Sequence, residues 1–150
     1  MVYRPALASV LFLFVLLAAP WQSATAQTAE EYVEQLLVQL DAAADVFEEE
    51  GFLPVMADGD VLEQGESQLY TVTLEEGISY LLLGVCDEDC SDLDLELYDG
   101  YDNLISEDDM EDDAPVVDVF VKQSGDFTLK VTMYACSENP CYYGVGVYGN

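Results

Sequence analysis

The chain contains no histidine and only three basic residues. Without histidine, every Ser–His or Cys–His nucleophile pair is ruled out, and no G-x-S-x-G elbow is present. The shortage of Lys and Arg excludes nucleic acid and anionic membrane as partners, because both are held by cationic surfaces. Long apolar runs are lacking too. The one candidate, Ala6 to Ala19, falls short of the ~20 residues that span a hydrocarbon core, so no membrane span is expected. Only carboxylates remain for acid–base work. A pair of them can cleave a glycosidic bond, but 31 acidic residues guarantee chance pairs. A small domain also rarely offers the deep pocket that raises a carboxyl pKa. The chain is therefore read as non-catalytic.

What is present begins with a leader. Arg4, the apolar run and the small-residue string Ala24-Thr25-Ala26 follow the order of a secretory signal peptide over residues 1–26. Cleavage after Ala26 leaves Gln27 as the new N-terminus, and no cysteine stands there for lipid attachment. The product is expected to be secreted or periplasmic. It holds Lys122 and Lys130 against all 31 carboxylates, a formal charge of −29. Charge of that size favours a soluble monomer and opposes compaction by self-repulsion. Disorder is the competing reading, but a chain that is 51% hydrophobic with ten tyrosines and six phenylalanines can bury a core.

Four cysteines lie in the second half, as Cys86-x3-Cys90 and Cys136-x4-Cys141. In an exported chain an even count at short spacing reads as two local disulfides, 86 with 90 and 136 with 141. Zinc is the alternative, but histidine is absent and neither spacing is the tight C-x2-C of many zinc sites. Each loop is so short that its bond is expected to fix a loop more than to hold the fold.

Thr28-Ala29-Glu30-Glu31 is a capping box that opens a helix within residues 27–51. Val33, Leu36, Leu37, Leu40, Ala44 and Phe47 form its apolar stripe, and Gly51 stops it. The stripe has to lie on the rest of the domain or on a partner. From Phe52 the period changes to two, and turn signals recur at Asp58-Gly59, Gln64-Gly65, Glu76-Gly77, Asp99-Gly100, Ser124-Gly125 and Asn139-Pro140. The spacing predicts eight strands, at 53–57, 68–74, 79–86, 93–98, 103–106, 116–121, 126–135 and 142–148. Leu93, Leu95 and Leu97 should face inward with Asp94 and Glu96 outward. Tyr80 to Val85 is apolar on both faces, as a central strand would be. The expected fold is all-β: an antiparallel, jelly-roll-like β-sandwich over 52–150 with one N-terminal amphipathic helix.

The strings Gln68 to Leu74, Glu76-Gly-Ile-Ser-Tyr80, Asp92-Leu-Asp-Leu-Glu-Leu-Tyr-Asp99, Pro115-Val-Val117 and Ser124-Gly-Asp-Phe-Thr-Leu-Lys-Val131 together resemble the bacterial pre-peptidase C-terminal domain. The resemblance covers about residues 60–148. It implies a secreted β-sandwich that accompanies proteases, related to the collagen-binding domains of clostridial collagenases. Here only a leader and a helix precede the module. The calcium ligands of the collagen-binding relatives come largely from a segment with no counterpart in this sequence, so they are not carried over.

Asp87, Asp89, Asp92 and Asp94 lie in and just after the Cys86–Cys90 loop. Oxygen ligands in a tied loop suit Ca²⁺, which takes six to eight of them, so these four are the candidate calcium ligands. They do not form an EF-hand, since Asp92 stands where the loop glycine belongs and Tyr98 where the bidentate glutamate belongs. A second acidic run, Glu107 to Asp113, reads as a solvated loop before Pro115. Tyrosines 98, 101, 134, 142, 143 and 148 gather late in the chain, either as an exposed aromatic platform or as cross-strand packing. Neighbouring Tyr142 and Tyr143 should face opposite sides. Two functions fit: a secreted binding or accessory module for a protein or polysaccharide, or an acidic structural or cation-buffering envelope protein.

Overall fold

The computed structural model describes residues 27–150; the leader expected over 1–26 and its expected cleavage site lie outside the described residues. The capping box forms as expected. The Thr28 amide donates to Glu31 Oε2 at 2.7 Å and the Glu31 amide to Thr28 Oγ1 at 3.4 Å, opening α1 (Ala29–Glu49). Gly51, at φ +92°, turns the chain out of the helix. Eight strands follow: β1 (Leu53–Leu62), β2 (Ser67–Leu74), β3 (Ser79–Cys86), β4 (Cys90–Tyr98), β5 (Leu104–Asp108), β6 (Val116–Phe120), β7 (Gly125–Cys136) and β8 (Cys141–Gly149).

They form two antiparallel four-stranded sheets, ordered β1-β8-β3-β6 and β2-β7-β4-β5. That order is a jelly roll, the two-sheet solution to the edge-strand problem. The alternation read in β4 and β7 points Leu93, Leu95, Leu97, Leu129, Val131 and Met133 into the core between the sheets, each fully buried. Strands β3 and β8 are apolar on both faces for different reasons. Leu82, Tyr143, Val145 and Val147 face the second sheet, whereas Leu83, Val85 and Tyr148 face outward onto Leu36 and Leu40 of the helix. Tyr142 and Tyr143 do face opposite sides.

Two sequence readings are corrected. Asp58-Gly59 is no turn. It lies inside β1, with Gly59 opposite Gly144 of β8, and a Cβ on Gly59 would meet the Tyr143 carbonyl oxygen at 2.6 Å. Glycine is needed there for close approach rather than for a turn conformation. Asp92 is placed in β4 and is buried, although it heads a strand face that turns to solvent. The disulfides have the expected local pairing, Cys86–Cys90 and Cys136–Cys141, and each bridges an arch that carries the chain from one sheet to the other. Cys90 and Cys136 are register partners, so the arches stand side by side and tie the sheets together at one end.

Candidate functional site

The helix is held on the outer face of the first sheet along one side only. Leu40 fits against Gly144, where an added Cβ would lie 3.2 Å from its Cδ1. Phe47 meets Tyr148 edge to face at 5.0 Å, and the Tyr148 hydroxyl donates to the Leu40 carbonyl at 3.3 Å. Gln39 Nε2 donates to the Cys86 carbonyl at 2.8 Å. At the N-terminal end Tyr32 stacks on Tyr142 at 5.1 Å and donates its hydroxyl to Asp89 Oδ2 at 2.7 Å. That bond to a carboxylate, with burial and the charges of Asp87, Asp89 and Glu88, pushes the Tyr32 pKa up to about 12.

The apolar stripe is wider than the surface that covers it. Leu36 and Leu40 are buried, but Val33 remains 45% and Leu37 56% exposed. These two, with Leu36 and Leu40, form one wall of a groove of about 320 Å³ whose other walls are Ala57 to Val61 of β1 and Tyr142 to Gly144 of β8. Asp58 and Asp60 line it, and Glu30 and Asp41 stand on the helix at three- and four-residue steps from Val33 and Leu37. β1 is the edge strand here. Its Gly59 and Val61 amides donate to the Asp58 and Asp60 carboxylates at 2.8 and 2.9 Å, so these two donors are capped by acidic side chains and do not invite a further strand. The groove therefore offers apolar contact and negative charge rather than a free backbone ladder.

The four predicted calcium ligands fall into two environments. Asp87 and Asp89 belong to the β3–β4 arch. Asp87 accepts from the Tyr142 amide at 2.6 Å and from the Asp89 amide at 3.1 Å, while Asp89 accepts from Tyr32. Burial nonetheless raises the Asp87 pKa against those hydrogen bonds. Asp92 sits between two register shifts in β4 and Asp94 just beyond them, on the outer side of the second sheet, beside the β5–β6 loop. Burial first, then Glu111 and Asp112, raise the Asp92 pKa; burial, Asp92, Asp109 and Glu96 raise that of Asp94. Glu96, next along the same face, is paired to Lys130, which lowers its pKa. Among the described residues no three acidic side chains converge on one point.

Sequence reasoning missed Tyr32 and Gln39 as helix anchors and missed the acidic loop as a neighbour of Asp92. It marked Val33 and Leu37 as apolar stripe without showing that they stay uncovered. Of the late tyrosines, Tyr143 is buried between the sheets and Tyr148 beneath the helix, whereas Tyr101 and Tyr134 are exposed.

No family model matches the chain, and no curated protein matches it. Among solved structures it is distantly similar to PliG of Aeromonas hydrophila, a periplasmic inhibitor of g-type lysozyme. The identity is 11% and the TM-score 0.48, over 63% of this chain and 85% of that one.

Proposed function

We propose that this is an exported, non-catalytic binding module whose groove between α1 and β1 receives apolar side chains from a basic polypeptide. The observation that carries the reading is the uncovered part of the helix stripe, Val33 and Leu37, facing an acid-lined groove. Exposed apolar surface set among polar residues is characteristic of interaction sites. The carboxylates around it attract cationic partners and repel acidic ones, which speeds encounter and sets specificity. The leader and the local disulfides support export, and the resemblance to the pre-peptidase C-terminal domain supports an accessory role. A polysaccharide ligand is less well served, because glycans dock on exposed aromatic platforms and the exposed apolar side chains of the groove, Val33 and Leu37, are aliphatic.

The test uses two synthetic peptides of equal positive charge, one of lysine and glycine only and one with interspersed leucines, titrated into the mature chain in 150 mM NaCl. The leucine peptide should bind at least tenfold more tightly, and Leu37→Glu should abolish that preference. Equal affinity for both peptides would reduce the groove to a generic acidic surface and defeat the proposal.

A further inference from the structure

We propose that Asp92 and Asp94 of β4, together with Asp109, Glu111 and Asp112 of the β5–β6 loop, form a binding site for a hard divalent cation, calcium, on the outer side of the second sheet. Asp92 carries the argument. It is only 7% exposed, and its Oδ1 has no hydrogen-bond partner. An oxygen of that kind is costly to bury and calls for a ligand, a proton or an ion. Its neighbours point to an ion. The Leu93 amide donates to the Asp112 carbonyl at 2.9 Å, so the loop runs back along β4 and places Glu111 and Asp112 where their charges act on Asp92. Asp94 follows on the same strand face, where the charge of Asp109 acts on it.

Among the described residues the countercharge that reaches this group is a single lysine shared with Glu96, Lys130, which acts on Asp94. Among the described residues the basic side chains are Lys122 and Lys130; Lys130 is bonded to Glu96, and Lys122 lies on the β6–β7 loop. Five carboxylates without a cation repel one another, and a bound divalent ion reverses that repulsion. The donors are all oxygens, which suits calcium and magnesium rather than zinc or copper. Glu111 and Asp109 are exposed, so their side chains are free to swing onto Asp92, while Asp112, half-exposed, already accepts from the Ala114 amide at 3.0 Å through Oδ1 and has its other oxygen left for an ion. Calcium accepts such irregular coordination, whereas magnesium demands near-ideal octahedral geometry and gives up water reluctantly.

The probe is CaCl₂, with MgCl₂ at equal ionic strength, followed by ¹⁵N NMR titration of the mature chain. Calcium should shift the amides of 92–94 and 109–112 in a single saturable step at roughly 10⁻⁴–10⁻³ M, the range of extracellular modules. Magnesium should bind at least tenfold more weakly. Asp92→Asn should weaken calcium binding at least tenfold, and Glu111→Gln, which alters only an exposed side chain, several-fold. Asp87→Asn should leave the affinity within twofold. Shifts spread over the whole acidic surface with equal response to both metals would overturn the proposal. So would undiminished calcium affinity in both Asp92→Asn and Glu111→Gln. The groove plays no part in this experiment, so its outcome is independent of the binding role proposed above.

Discussion

Tyr70 of β2 and Tyr143 of β8 meet hydroxyl to hydroxyl at 2.7 Å, a hydrogen bond that crosses from one sheet to the other. Their rings are edge to face at 6.4 Å. Tyr143 is fully buried, while Tyr70 is only partly so. The two phenylalanine substitutions should therefore differ. Tyr70→Phe leaves the Tyr143 hydroxyl buried and unpaired, at a cost of about 1–3 kcal/mol. Tyr143→Phe leaves Tyr70 able to turn to water and should cost less than half as much. The double variant should recover most of the Tyr70→Phe loss. Urea denaturation of the three variants checks the order.

The pH dependence of stability follows from the acidic face. Asp87, Asp92 and Asp94 all have folded pKa values raised above the ordinary 3.8. A carboxyl with a raised folded pKa favours the folded state when protonated, and that advantage is lost as pH rises from the unfolded value through the folded one. Glu96 is opposite in sign, since its pKa is lowered below 4.5 and its contribution disappears only in more acid solution. With EGTA present to remove calcium, the thermal midpoint should rise as pH falls from 7 and turn over once Glu96 protonates. Asp92→Asn should raise the midpoint at pH 7 and flatten the slope. A midpoint that falls steadily on acidification would contradict the sign.

Stability and binding should separate along the helix. Leu40→Ala removes a buried side chain from the contact with Gly144 and Val85 and should cost about 2–4 kcal/mol. Leu37→Ala changes an exposed one and should cost less than about 0.5 kcal/mol, yet it should weaken the leucine-peptide complex severalfold. Gly144→Ala pushes a methyl group towards Leu40 and should cost about 1–3 kcal/mol, less so when Leu40 is also alanine. Paired stability and titration measurements on these variants give the comparison.

The two disulfides should act together. Each closes a loop so short that its chain-entropy contribution is only about 2 kcal/mol. Because the arches are neighbours through Cys90 and Cys136, fraying one loosens the other. Replacing both pairs by serine should therefore cost less than the sum of the single-pair losses. Guanidinium midpoints for the three variants decide it.

What was legible in the sequence is what local periodicity encodes. The alternation of β4 and β7, the two-faced apolar strand β3, the capping box and the short cystine spacings each reflect forces acting within a few residues. Long-range partners leave no such trace. Asp58-Gly59 carries a turn signal, and only the approach of the Tyr143 carbonyl from the far end of the chain shows why glycine is there. Asp87 and Asp94 are close in sequence, but the arch and two register shifts between them send one towards the helix and the other to the second sheet. Asp92 obeys the strand alternation; its burial comes from a loop about twenty residues downstream, which no period of two reveals.

The pairing of β1 with β8 and of β2 with β7 has a consequence for the order of assembly. A chain delivered N-terminus first presents its helix, its first edge strand and their apolar side chains long before Cys141–Gly149 exists to receive them. The first sheet cannot close until that last segment arrives, because β8 is at once the partner of β1, the partner of β3 and part of the floor beneath the helix, whereas the second sheet is complete once β7 is made. Loop-closure entropy for such distant contacts makes them slow to form. Until β8 is available, the apolar faces of β1 and β3 wait without their shared partner, and the dense negative charge keeps the waiting segments apart.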